Sequence, residues 1–277
     1  MAPRAIWSGS ISFGLVNVPV KLFSATRSQD VRFNQLHEKD GARIRLKRVC
    51  SKDGEEVDLD QIVKGYEIAP DRYVTITQAE LDTVAPKATR MIEIEDFVDL
   101  DEIDPIFYDH PYYLAPAAGG AKPYRLLLEA MAESGKVAIA RVVIRSKEQL
   151  VAIRPIGDVL EMATMLFADE VVDPARLDDL PSADEIETSD RELDIAKQLV
   201  QSLAGDFEPG KYHDTYREAV LAMIERKAEG QEIVEQPETE AAPKTVDLMA
   251  ALEASLAEAK RRKQETDSAR KVKAAKS

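Results

Sequence analysis

From Val16 to Leu22 the chain alternates strictly, with Val16, Val18, Val20 and Leu22 on one face and Asn17, Pro19 and Lys21 between them. That is the period-2 pattern of a half-buried strand. Proline cannot donate to a ladder, so Pro19 predicts an edge strand or a local irregularity. Upstream, Trp7 precedes Ser8, Gly9 and Ser10, where small residues leave the backbone free to turn. Further alternating stretches follow at Tyr73–Ile76, Met91–Val98 and Phe107–Leu114. A short helix is predicted at Gln78–Val84, with Thr77 as N-cap, Glu80 completing a capping box and Pro86 limiting it. Gly119 and Gly120 mark a connection into a helix over Lys122–Ser134, its buried side read as Leu126, Leu127, Ala130 and Met131. Val159–Phe167 is apolar and fits either a packed helix or a strand. Many strands with few alternating helices favour an antiparallel sheet or barrel over a doubly wound fold.

The last third changes to a helical period. Pro174 and Pro181 punctuate an acidic linker, and Ser189 with Glu192 forms a second capping box. Leu193, Ala196, Leu199, Val200 and Leu203 then recur at helical spacing, closed by Gly205. A second helix from Asp214 carries Tyr216, Val220, Met223 and Ile224 and ends at Gly230. These two apolar faces suit an arm packed on a partner chain or one packed back on its own barrel; the pattern leaves both open. Residues 231–245 read as a polar linker. The helix after it bears a narrow stripe of Leu248, Met249, Leu252 and Leu256. A helix this short is marginal in water, so it is expected to fold on a partner. From Lys260 onward eight Lys/Arg face only Glu265 and Asp267, a tail expected to be disordered and to touch phosphate non-specifically.

Charge changes this picture. At 277 residues the chain carries a net −14, which by itself argues against nucleic acid. The charges, however, are segregated. Arg32, Lys39, Arg43, Arg45, Lys47, Arg48 and Lys52 stand against Glu38 and Asp40, a local +5. Arg43–Lys47 alternates cation and aliphatic; as a strand it sets cations about 6.6 Å apart on one face, comparable to the phosphate spacing along one DNA strand. Arg141, Arg145, Lys147 and Arg154 repeat the arrangement, and Lys21 joins them on the polar face of the first alternating stretch. Two basic strands in one sheet point to a polyanion, although either alone could be a solvated face. Glu93–Asp109 holds eight acids and no Lys or Arg, and Asp169–Asp194 holds eleven acids against Arg176 and Arg191. The simplest arrangement is an acidic outside around a basic groove.

Sites for chemistry are scarce. The GDFEPGK run from Gly205 to Lys211 mimics a phosphate loop, but Tyr212 stands where a Ser/Thr must hold magnesium, and the run follows a helix. His37, His110 and His213 lack ligand spacing, and the single cysteine, Cys50, excludes an intrachain disulfide and fits a reducing cytoplasm. No apolar run approaches a membrane span and no secretory leader is evident. No cofactor or metal is implied.

Five collinear blocks resemble the bacterial Ku family: RAIWSGSISFGLVNVPVKLFSA from Arg4, DQIVKGYEIAPDRY from Asp60, FVDLDEIDPIFYDHPYYLAP from Phe97, KVAIARVVIRSKEQLVAIRP from Lys136 and FEPGKYHDTY from Phe207. Ser146–Gln149 departs from the RxREH form of the family. The resemblance implies an α+β fold, an antiparallel β-barrel core with bridging strands and a C-terminal helical arm, assembled as a ring-forming homodimer around duplex DNA ends. It further implies recruitment of the bacterial multifunctional end-joining ligase, no enzymatic activity, and a cytoplasmic, nucleoid-associated protein. On this reading residues 1–185 form the core with its DNA-encircling bridge, 186–230 the arm (Leu193, Leu199, Leu203, Tyr216, Val220 and Ile224 as dimer contacts), 231–245 the linker and 246–277 the partner-binding helix and basic tail. A protein scaffold without DNA binding and a nucleic-acid hydrolase are the rivals.

Overall fold

The computed structural model describes residues 4–86, 89–144, 146–178, 180, 188–230, 249 and 251–261. The chain divides into two compact units, Met1–Arg176 and Leu177–Ser277. Among the described residues no helix is long and apolar enough to cross a membrane.

The first unit opens with β1 (Trp7–Phe13) and β2 (Val16–Ser24), an antiparallel pair joined at Gly14, whose φ of +56° takes the left-handed turn that glycine allows. Ser8, Gly9 and Ser10 do not turn, as the sequence suggests they might; they run through β1. Gly9 serves close packing: a Cβ there would lie 2.2 Å from both the Trp7 ring and the Arg90 carbonyl oxygen. The alternation in β2 is realised, with Val18, Val20 and Leu22 fully buried, while Val16 at the turn end is exposed. Pro19 does not make β2 an edge strand, since β2 is paired on both sides. The β6 ladder simply begins at Val20 and leaves the proline outside it.

After Ser24 the chain makes a 66-residue excursion before it returns to the barrel at Met91. The excursion contains a two-stranded hairpin, β3 (Lys64–Ala69) with β4 (Arg72–Ile76), and α1 (Gln78–Val84). The α1 capping box is as predicted: Thr77 accepts from the Glu80 N–H, and Glu80 accepts from the Thr77 N–H. The chain then completes the barrel with β5 (Met91–Asp99), β6 (Tyr108–Pro116), α2 (Ala121–Ser134), β7 (Lys136–Ile144), β8 (Lys147–Ile156) and β9 (Val159–Met165). Val159–Phe167 thus resolves into a strand.

The seven barrel strands close in the order β1-β2-β6-β9-β8-β7-β5. Closure is made by β1 with β5, and this pairing is parallel, Ser10 opposite Met91 through Ser12 opposite Glu93. The expected all-antiparallel barrel is therefore corrected to a mixed one. Parallel neighbours need a long crossover, and the excursion supplies it.

Inside lie Ile11, Val20, Leu22, Ile92, Val151, Ile153 and Leu160, all fully buried. The helix α2 packs on this core through Tyr124, Leu127, Leu128 and Met131, an i, i+3, i+4, i+7 stripe. Leu126 and Ala130, expected inside, face out: the buried stripe is shifted by one residue. Tyr124 decides the phase. Its hydroxyl donates to the Leu114 carbonyl at 2.6 Å and accepts from the Leu160 N–H at 2.8 Å, tying β6 to β9. Burial raises its phenol pKa.

The second unit contains α3 (Asp190–Leu203), α4 (Thr215–Ala228) and a helix over 251–261. Ser189 and Glu192 form the predicted capping box on α3, and Asp214 caps α4 by accepting from the Arg217 N–H. The GDFEPGK run sits between the two helices, with a single turn at Pro209–Lys211.

Candidate nucleic-acid interface

The densest run of cations in the first unit lies in the excursion. No described residue from 25 to 90 is buried. Residues 32–52 carry seven cations, while the next segment holds Asp53, Glu55, Glu56, Asp58 and Asp60 and no cation. The excursion is thus basic first and acidic next.

Its backbone is mostly irregular. Arg43–Lys47, expected as a strand, is bridged only at Arg43, to Leu36; the next isolated bridge joins Val49 to Glu56. Alternation sorts side chains onto two faces but cannot supply the neighbour that a strand needs. These cations therefore do not share a sheet with those of β7 and β8. Two tight turns fix the path instead. In the first, Asp40 accepts from the Ala42 N–H and lies 3.0 Å from His37 Nδ1; Ile44 N–H donates to the Gln35 carbonyl at 3.0 Å. In the second, Asp53 accepts from the Glu55 N–H at 3.0 Å, the main reason its carboxyl is held below the usual range.

Arg32, Arg43, Arg45, Arg48 and Lys52 are all exposed, with no carboxylate partner among the described residues. Lys47 is exposed too, but it donates to Glu56 at 2.6 Å, a surface pair worth under about 1 kcal/mol. Lys21, in β2, and Lys147, at the start of β8, are exposed and likewise unpaired among the described residues.

The remaining barrel cations are engaged. Arg141 donates to Glu95 at 2.9 Å and to Glu148 at 2.8 Å, a fork that raises its pKa and engages two of its five donors. Arg154 is bonded across the β8–β9 ladder to Glu161, a residue only 8% exposed. That pair borders an acid-rich recess of about 810 Å³ lined by Asp101, Glu102, Asp104 and Asp109. Arg145 lies outside the described residues. Register explains what sequence spacing could not: Glu148 reaches Arg141 only because β7 and β8 form a hairpin with Val142 opposite Gln149.

Apolar side chains form the second feature of the excursion. Thirteen large hydrophobics between Phe33 and Val84 are exposed among the described residues, including Leu46 at 90%, Leu59 at 70% and Tyr66 at 67%. Sequence reading found the cations but gave these residues no role; their alternation looked like ordinary strand packing.

In the second unit, Val220 is 9% exposed while Leu193, Leu203, Tyr216 and Ile224 are exposed and Leu199 is half-buried. Met249 and Leu252 are half-buried and Leu256 is buried. Leu248 and nearly all of the basic tail lie outside the described residues, as does the predicted linker. Among the described residues no group of three or more His, Cys, Asp or Glu side chains is placed to hold a metal ion.

The family model described as the Ku70/Ku80 beta-barrel domain matches residues 12–195. The chain belongs to the Ku family. It is 54% identical over 260 residues to the "Non-homologous end joining protein Ku" of Anaeromyxobacter sp. (strain K), covering 94% of this chain and 87% of that protein. The protein of the same name from Heliobacterium modesticaldum is 45% identical over 94% of each chain. That of Bacillus subtilis is 39% identical over 98% of this chain and 88% of its own. The Ku match runs from the end of β1 through the other barrel strands and the whole excursion to the start of α3, so the excursion belongs to the domain itself.

Proposed function

We propose that this chain is a non-enzymatic DNA end-binding protein of non-homologous end joining, acting as a homodimer that encircles duplex ends without regard to sequence. The excursion is the strap: its basic half, Arg32–Lys52, faces phosphate and its exposed hydrophobics meet a second copy. Lys21 and Lys147, free of carboxylates among the described residues, extend the phosphate-facing set. Arg141 and Arg154, each already held by carboxylates, join it less readily. Breaks occur at any sequence, so contacts to the backbone and not to base edges suit the task. A two-fold dimer suits the pseudo-two-fold of the duplex. The exposed arm residues Leu193, Tyr216 and Ile224 add to the dimer, and the stripe Leu248, Met249, Leu252 and Leu256 recruits the end-joining ligase near the nucleoid.

The observation that carries this reading is the pairing, in one exposed excursion, of unpaired cations with unburied apolar side chains. Such a segment gains little by folding alone and is explained by two partners, one anionic and one apolar. The testing experiment is duplex binding across a salt series with Arg43, Arg45 and Lys47 changed to Ala. Affinity should fall alike for unrelated sequences. The slope of log K against log salt should flatten by about 0.9 for each phosphate that is no longer neutralised, counted over both subunits. An unchanged slope returns these side chains to a solvated surface.

A further inference from the structure

The C-terminal helix is already occupied within its own chain. Leu256, at the centre of the stripe read as partner-binding, is only 9% exposed. A recess of about 330 Å³ is lined by Leu199 and Leu203 of α3 together with Ser255, Glu258 and Ala259. Arg191, in the first turn of α3, lies 3.4 Å from Glu253. The two helices thus meet through an apolar seam and the Arg191–Glu253 ion pair.

We infer that the helix over 251–261 forms an intramolecular clasp on α3, which masks Leu252 and Leu256 until it opens. The clasp stands on the geometry of the second unit alone; only its consequence for recruitment rests on the reading given above. The seam is shallow. None of the α3 residues is buried by it, and Leu203 and Val200 remain 70% and 71% exposed. The ion pair joins side chains that are themselves exposed, the class that contributes least. The eighteen residues between Gly230 and Met249 can span about 60 Å when extended, far more than the roughly 21 Å length of α3. The helix can therefore leave and return without disturbing α3 or α4. A short amphipathic helix that needs a groove in order to fold has one here, and an external groove must compete with it. Binding to an outside partner is weakened by the fraction of chains that are clasped.

The test uses the full chain and Leu256→Asp, with a fluorescein-labelled peptide of residues 247–263 as probe. Leu256→Asp should raise hydrogen exchange across α3 by about tenfold or more while the barrel strands exchange as before. The peptide should bind the Leu256→Asp chain at least about tenfold more tightly than the native chain, whose groove is filled. Arg191→Glu should loosen the clasp part-way, and adding Glu253→Arg should restore it. Equal peptide binding by both chains, or α3 exchange unchanged by Leu256→Asp, overturns the clasp. So does α3 protection that disappears on about hundredfold dilution, because the helix would then come from a second copy.

Discussion

The barrel and the excursion are built from the same residue types and end in opposite states. In the barrel, Ile11, Ile92, Ile153 and Leu160 are sealed from water. In the excursion, Ile44, Leu46, Ile62, Val63, Tyr66 and Val74 stand open. The difference is topological. Each barrel strand has two neighbours, and the parallel β1–β5 pairing removes the last edge. The β3–β4 hairpin has only itself, and a two-stranded ribbon cannot bury a face. Hydrophobicity in the barrel is thus satisfied within the chain. In the excursion it is left exposed.

This contrast can be broken most strongly in the barrel. Ile153→Ala should cost about 2–5 kcal/mol, since it leaves a cavity in a closed core, read as a shifted urea midpoint with unchanged slope. Next, Tyr124→Phe removes the hydroxyl that serves both the Leu114 carbonyl and the Leu160 N–H. Two buried backbone groups lose their partner, and about 1–3 kcal/mol should go with them. Full stability in this variant would mean that water replaces the hydroxyl.

The excursion should respond the other way round. Leu46→Asp together with Val63→Asp should leave unfolding within about 0.5 kcal/mol of the native chain. Dimer dissociation measured by sedimentation should weaken at least tenfold, about 1.4 kcal/mol. A large loss of stability with no change in association would assign these side chains to the fold of the single chain.

The smallest effect is at the helix caps. Hydrogen bonds from the Ser189 side chain and then its backbone N–H hold the Glu192 carboxyl below its ordinary range. Its contribution is therefore complete above the unfolded glutamate value, about 4.3, and is lost as pH falls through the lowered folded value. Hydrogen exchange at the start of α3 should rise over that window while the barrel stays protected. Glu192→Gln should move the onset.

Features set by neighbours along the chain were legible in the sequence. Both capping boxes, the alternation of β2 and the run of β5 depend on residues a few positions apart. Features set by distant partners were not. Gly9 reads as a turn until the Trp7 ring and Arg90 are placed against it. The buried face of α2 depends on two backbone groups that Tyr124 meets in other strands. The alternation of Arg43–Lys47 has no strand to pair with, and the Arg141 fork needs the β7–β8 register. The candidate interface was therefore legible as a set of cations, but not as an excursion, and the apolar half of the strap went unread.

The central claim is that two excursions close around the duplex, and loading on linear and covalently closed circular DNA of one sequence tests it most directly. A preformed ring can thread only from an end. The account predicts binding to the linear duplex, no loading on the circle, and retention on linear DNA whose ends are blocked after loading, even in salt that prevents fresh binding. Salt weakens phosphate contacts but cannot undo a topological link. Equal binding to the circle, or salt release from end-blocked DNA as fast as from open DNA, would contradict the encircling strap.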